Sequence, residues 1–388
     1  MSFQPVHSVQ RTQYDFIVTG AGAAGLSLLL HMIRSGRFRD KRILLVEKAS
    51  KQSNDRTWCF WEEQPGMFEE IVYRRWDTAW LYGQDYAGRL QLSPYQYKMI
   101  RGLDFYRYCL AAIGQEASID LVAGEVTALA STASGATVQV DGRLFTGTYV
   151  FNSILFQPVV PGRKDAHLLQ HFKGWVLETG QPVFNPAEAV LMDFRVPQHN
   201  GATFVYVMPF AANRALVEYT LFSKALLPTG QYDAGLRSYL RDVLQVDDYT
   251  VTEEEFGVIP MTSYRFPTRQ GRILHIGTAG GQTKASSGYT FSFIQKQAAR
   301  IVQQLIRTGQ PFAGPVSASR FRFYDRVLLD ILQREALPGA AIFTRLFQKN
   351  DPRRVLRFLD NASSLAEELS IISSLPTLPF LKAAIRQL

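Results

Sequence analysis

Apolar positions along the chain change period close to its start. Phe16 to Thr19 form a short buried-type run, and Leu26, Leu29, Leu30 and Ile33 then recur at helical spacing up to Gly36. That pattern predicts a strand, a tight turn and a helix, and "KRILLVEK" supplies a second strand. Short alternating runs follow. "DLVAGEVTALASTASGATVQVDGRLFTGTYVFNS" reads as a β-meander with "SG" and "DG" as turns, and "ATFVYVMPFAANRALVEYTLFS" reads as a hairpin turning near Ala211 to Arg214. "GRILHIGTAGGQTKASSGYTFSFIQKQAARIVQQLI" returns to strand, glycine loop and helix, with Phe291, Ile294, Ala298, Ile301 and Leu305 on one helix face. From about Pro311 the pattern is mostly helical. In "NDPRRVLRFLDN", Asp351 stands at an N-cap and Pro352 at the first helical position.

One residue of the hairpin breaks its apolar pattern. In "ALVEYTLF", Leu216, Glu218, Thr220 and Phe222 share a strand face. Glutamate is depleted in strands, and a carboxylate on an apolar face costs free energy unless it is paired or protonated. Two readings follow: an ion pair, with Arg214 as the local candidate, or an acid held neutral by burial.

Gly20, Gly22 and Gly25 form G-x-G-x-x-G between the first strand and its helix, and Glu47 ends the second strand 22 residues after Gly25. Strand, glycines, helix and acid together make a dinucleotide-binding unit. The glycines permit a tight turn and close backbone approach, the helix N-terminus takes a pyrophosphate, and the acid accepts from a ribose hydroxyl. The structural alternative is a glycine-rich loop that packs helix on strand.

Composition narrows the field. The 388 residues are 46% hydrophobic and 20% charged, which suits one large core or two to three intertwined lobes. The 26 Phe, 17 Tyr and 5 Trp fit a large apolar cavity or an aromatic-rich core. A net charge of +8 without a compact Lys/Arg block argues against nucleic acid and leaves an anionic membrane surface. Cys59 and Cys109 have no metal or disulfide spacing, which suits a reducing compartment. No apolar run approaches 18 residues, and the N-terminus lacks the apolar region of a signal peptide, so neither a spanning helix nor a leader is expected. His167 and His171 stand four apart without a visible third ligand, so no metal site is expected, and Glu253 to Glu255 read as a solvated face. There is no G-K-[ST] phosphate loop and no G-x-S-x-G elbow.

The early glycine unit and the late "RILHIG" strand before a glycine loop resemble the FAD-binding fold of the p-hydroxybenzoate hydroxylase type. Where many members of that group carry G-D-A, this chain has "GTAG", with Thr278 at the acid position. A narrower resemblance covers nearly the whole chain, to the lycopene cyclases of carotenoid-making bacteria. "DRTWCFW" is similar to their T-W-x-F motif, and "MIRGLDFYRYCL" to their arginine-containing strand-to-helix segment. "VEYT" resembles their E-[ED]-T acid motif, with Tyr219 at the second acid position. "SSGYTFSF" is similar to their T-G-Y-S/T segment, and "SLPTLPFLKAAI" to their C-terminus.

The resemblance implies a fold of α/β with α+β character: a Rossmann-type FAD-binding domain, a mixed-sheet substrate domain and a C-terminal helical region. Residues 1–60, 98–155 and 256–310 would form the discontinuous FAD domain, 61–97 and 156–255 the substrate-binding sheet, and 311–388 the helical region. It implies acid-catalysed, non-redox cyclisation of the ψ-ends of lycopene to β-ionone rings, giving γ-carotene and then β-carotene. FAD would act in its reduced form, with NAD(P)H as a candidate external reductant. Glu218 would be the acid. FAD would be held by Gly20, Gly22, Gly25 and Glu47, with Arg101, Gly277, Thr278 and Gly288 near its ribityl chain and ring. Trp58, Phe60, Trp61, Tyr289 and Phe291 are candidates for facing the cationic intermediates, core packing being the alternative for each. Lycopene and related carotenoids and a membrane surface are the implied partners, which places the protein in the cytoplasm at the inner membrane. A redox flavoenzyme acting on a lipid (a monooxygenase or prenyl-chain reductase) and a non-catalytic flavin-binding lipid carrier are the competing readings.

Overall fold

The computed structural model describes residues 3–157, 159–162, 165–314 and 318–388. Its first unit follows the N-terminal pattern. The strand Gln13–Thr19 pairs in parallel with Ile43–Glu47, and the helix Ala23–Ser35 makes the crossover. Gly36 ends that helix in the left-handed region, φ 65°, where glycine has no Cβ penalty. Parallel pairing continues outward through Ile119–Ala123 on one side and through Arg143–Asn152 and Ile273–His275 on the other. The meander is shorter than its pattern predicts. Val126–Ser131, Ala136–Val140 and Arg143–Asn152 run antiparallel, whereas Ile119–Ala123 pairs in parallel with Ile43–Glu47. Its apolar side chains are needed there, between the parallel sheet and the helices on its face.

A second sheet of seven strands has the order Tyr249–Thr262, His167–Thr179, Arg214–Ser223, Ala202–Ala211, Glu188–Asp193, Thr78–Gly83, Tyr86–Gln91. All its pairs are antiparallel except Glu188–Asp193 with Thr78–Gly83. The expected hairpin is its centre, turning between Ala211 and Arg214. Both faces of the Arg214–Ser223 strand are covered, so its polar and apolar positions do not alternate in exposure. Ala215, Val217, Tyr219 and Leu221 pack with Tyr232, Leu236 and Tyr239 of the helix Thr229–Tyr239. Leu216 and Phe222 face the other core, beside the helices Ser319–Gln333 and Gly339–Lys349.

A three-stranded sheet, Thr57–Glu62 and Arg74–Trp76 flanking Gln96–Arg101, connects the two large sheets. The domain division expected at 60/61 falls inside Thr57–Glu62, and that at 255/256 falls inside Tyr249–Thr262. Continuous pairing holds each strand in one piece across those points. Five helices between Ser319 and Gln387 cover the seven-stranded sheet at the end of the chain.

Candidate functional site

The glycine turn has the shape its spacing predicts. Gly20 takes φ 94°, and a Cβ on Gly25 would lie 2.1 Å from the Gly20 carbonyl oxygen, so helix and turn touch backbone to backbone. Gly22 is the helix N-cap, no side chain caps it, and a Cβ there would meet nothing within 4 Å. An uncapped helix N-terminus facing open space fits a pyrophosphate, whose oxygens the first-turn N–H groups would receive. Glu47 is buried at the end of its strand. Its Oε2 accepts from the Ala21 N–H at 2.6 Å and its Oε1 from the Ala49 N–H at 2.9 Å. A carboxylate has about four lone-pair sites, so acceptor capacity remains for ribose hydroxyls.

The late loop docks on this unit. Gly277 has φ 61°, and a Cβ there would come within 2.8 Å of the Ala24 Cβ in the glycine-loop helix. Thr278 sits half-buried in the short turn Gly277–Gly280. Gly288, at φ 73°, lies against the seven-stranded sheet, since a Cβ there would overlap the Gln170 side chain at 1.9 Å. The loop therefore touches both the glycine-turn helix and the seven-stranded sheet.

The candidate aromatics divide between two cores. Trp58, Phe60 and Phe291 cluster with Phe105 on the dinucleotide side, where Phe60 stacks on Phe291 at 4.7 Å. Trp61 and Tyr289 meet edge to face at 4.6 Å on the other side, in the core that carries the Glu218 face. Alternation along Thr57–Glu62 produces this division. Arg101 ends the strand Gln96–Arg101, where its Nε donates to Asp104 at 2.7 Å and its guanidinium lies 4.1 Å over Tyr73. It lines a small open cleft together with Asn54, Thr57, Leu216, Arg214 and Glu255.

Glu218 is 8% exposed and has no basic partner among the described residues. Arg214, the expected counter-ion, instead reaches Glu178 at 3.3 Å and Glu253 at 3.2 Å, because its position at the hairpin turn leads it away along the sheet. Around Glu218 stand Cys59, Tyr206 and Tyr289, with Tyr97 behind them. Burial pushes each of those thiol and phenol groups upward, so all are neutral at pH 7. Thr220 Oγ1 donates to Glu218 Oε1 at 2.9 Å. Burial first, and the charge of Glu255 second, raise the Glu218 carboxyl well above the usual carboxylate range.

Glu255 corrects the sequence reading of Glu253 to Glu255 as a solvated face. Only Glu254 is exposed; Glu253 and Glu255 are half-buried, and Glu255 Oε1 is sealed from water. The strand pattern "TVTEEEFGVIPMT" places apolar side chains on both faces, so it did not mark which acids point inward. Thr57 Oγ1, in the "DRTWCFW" segment, donates to Glu255 Oε2 at 2.9 Å. Asp55 of the same segment is more accessible, 39% for its side chain, and accepts from Tyr106 at 2.8 Å. His167 and His171 lie on a strand, where His171 is buried between the Tyr232 hydroxyl at 2.6 Å and Ser223 Oγ at 2.7 Å.

The fold is one shared with solved flavoproteins. Solved structures with this fold include a flavoprotein/dehydrogenase from Cytophaga hutchinsonii, at TM-score 0.63 and 10% identity, with 97% of this chain and 99% of that one covered. A geranylgeranyl bacteriochlorophyll reductase-like protein from Thermoplasma acidophilum superposes at TM-score 0.58 and 12% identity, covering 96% and 95%. Within that fold the sequence is more specific: the lycopene cyclase family model matches residues 15–385, and the chain belongs to the lycopene cyclase family. It is similar to the lycopene beta-cyclases of Pantoea ananas, 24% identical with 95% of this chain and 97% of that protein covered, and of Paracoccus sp., 25% identical with 96% of each covered.

The glycine geometry separates a packing role from a binding role. Gly25→Ala forces a methyl into backbone and should lower unfolding free energy by about 1–3 kcal/mol in urea titration, whereas Gly22→Ala should change it by under about 1 kcal/mol. Equal losses in the two variants would refute the assignment of Gly22 to open, ligand-facing space.

Proposed function

We propose that this protein is an FAD-dependent lycopene β-cyclase that closes the ψ-ends of lycopene by acid catalysis without net oxidation. The observation that carries the reading is Glu218: a buried carboxyl without a counter-ion among the described residues, on an apolar sheet face, in a chain of the lycopene cyclase family. An alkene is a very weak base. Its protonation needs an acid kept neutral in a dry site, and burial provides that. Glu218 would deliver a proton to the terminal alkene. The tertiary cation would be attacked by the neighbouring double bond, and the ring cation would then lose a proton to form the β-ionone ring. Trp61 and Tyr289 stand in the same core as Glu218, and their ring faces would stabilise positive charge there by about 0.5–2 kcal/mol each.

Gly20, Gly22, Gly25 and Glu47 would hold the ADP half of FAD, and Arg101, Gly277, Thr278 and Gly288 would border its ribityl chain and ring. Reduced FAD would supply negative charge beside the cationic intermediates, with NAD(P)H as external reductant. The chain's own contribution is to orient the acid and exclude water from it.

The substrate is a long hydrocarbon, and the surface offers a place to meet the bilayer that contains it. No helix among the described residues is long and apolar enough to cross a membrane. The helices Leu365–Ser374 and Thr377–Gln387 expose Leu365, Leu369, Ile372, Leu378, Leu381 and Ile385 at helical spacing. Their two acids, Glu367 and Glu368, are neutralised by Arg357 and Arg320, and Lys382 is exposed. An aliphatic face without free acid, on a chain of net charge +8, suits the surface of an anionic bilayer at the inner membrane.

Two measurements test the reading. Glu218→Gln keeps shape but has no acid proton. Anaerobic conversion of lycopene with reduced FAD, followed by pigment chromatography, should fall at least 10²–10⁴-fold while fold and FAD content persist. Near-normal ring formation would place the donor elsewhere, and flavin reoxidised once per turnover would favour the redox alternative. In flotation with phosphatidylglycerol vesicles, Leu369→Glu combined with Leu381→Glu should lower the bound fraction about tenfold or more, because each exposed leucine contributes about 1.5–3 kcal/mol when buried. Unchanged flotation would exclude this face as the docking surface.

A further inference from the structure

Glu218 and Glu255 lie on strands that do not touch. The strand His167–Thr179 runs between them, and the register sets Tyr206, Glu218, Gly174 and Glu255 in one row across four strands. Neighbouring strands are about 4.8 Å apart, so side chains two strands apart ordinarily find a third side chain between them. Here that position is Gly174. A Cβ on it would lie 3.0 Å from Glu255 Cγ and 2.9 Å from Leu216 Cδ1. Glycine weakens a strand interior, and one in the middle of a thirteen-residue strand marks a close approach across it.

Glu255 Oε2 is occupied by Thr57, but Oε1 is sealed from water and has no donor among the described residues other than a proton on Glu218. A buried acceptor without a partner demands an explanation. One proton shared between the two carboxyls is that explanation.

We propose that Glu255 is a positioning residue for the acid: reaching over the bare backbone of Gly174, its carboxylate accepts a hydrogen bond from the Glu218 carboxyl and keeps the proton there. The inference rests on Glu218 being the proton donor. It explains how a chain with Tyr219 at the second position of its acid motif still brings two carboxyls together, since the second comes from another strand. Two like charges in a dry site cannot both ionise readily; each carboxyl accepts one threonine hydroxyl, and the deeper burial of Glu218 against the cleft-lining position of Glu255 makes Glu255 the one that carries the charge. The titratable groups around the pair are few. Cys59, Tyr206 and Tyr289 face Glu218, with Tyr97 behind them, while Asp55 and Glu253 are the acids nearest Glu255, and Arg101 and Arg214 line the cleft beside it.

The sign of the effect is definite. The acid works only when protonated, so activity falls as pH rises through its pKa. Glu255→Gln removes the neighbouring charge, lowers that pKa, and should move the alkaline limb of the kcat profile down by about one to three pH units while rate at low pH is largely kept. Gly174→Ala, whose methyl would press on the Glu255 side chain and wedge the two apart while leaving both carboxyls in the chain, should move the limb the same way by a smaller amount. Thermal melts and flavin content identify variants whose fold has failed, and a general loss of fold would lower the rate at every pH without moving the limb. If Glu218→Gln is inactive but the limb stays put in both Glu255→Gln and Gly174→Ala, Glu255 has no such role and the cyclase reading stands. If Glu218→Gln is active, the donor assignment itself is lost.

Discussion

An ionised carboxylate cannot be placed in a dry, apolar sheet face without a cation, because the loss of hydration costs several kcal/mol. The seven-stranded sheet offers Glu218 no cation, and the guanidinium of its own strand, on Arg214, is committed to Glu178 and Glu253. Glu218 therefore has to be neutral, and that requirement organises its surroundings. A helix covers one face of its strand and the C-terminal helices the other. Phenols and a thiol, all uncharged, stand beside it.

The three-stranded sheet is what relates this acid to the dinucleotide unit. Its Thr57–Glu62 strand presents Trp58 and Phe60 to one core and Trp61 to the other, while Thr57 holds Glu255. The late glycine loop makes the same connection from the far end of the chain, through Gly277 to Ala24 and through Gly288 to Gln170. Two close approaches that only glycine permits thus fix the distance between the N-terminal glycine-turn helix and the sheet that carries Glu218.

Local periodicity made the first strand, turn and helix readable, and also the hairpin and the Asp351–Pro352 helix start, because each depends on neighbours a few residues away. Glu218 stood out because it contradicts its own strand. Glu255 did not. It lies in a run of three acids on a strand whose two faces are both partly apolar, and its meaning comes from Gly174 and Thr57, 81 and 198 residues away. Register between distant strands sets such contacts, and no local pattern encodes it. The glycine in "HFKGWV" was the available signal: a residue without a side chain inside an otherwise well-filled strand.

Tyr249–Thr262 is the outermost strand of its sheet, paired on one side only, and it leaves Phe256 and Val258 exposed. Outer strands open more readily than central ones, at a free energy well below that of global unfolding. When this one detaches, Glu255 leaves with it, while Glu218 remains enclosed in the central hairpin. On the proposed pairing, the strength of the acid would then be governed by the breathing of a sheet margin and not by the stability of the core. A ligand, lipid or neighbouring chain that clamps this margin would retune the carboxyl without coming near it.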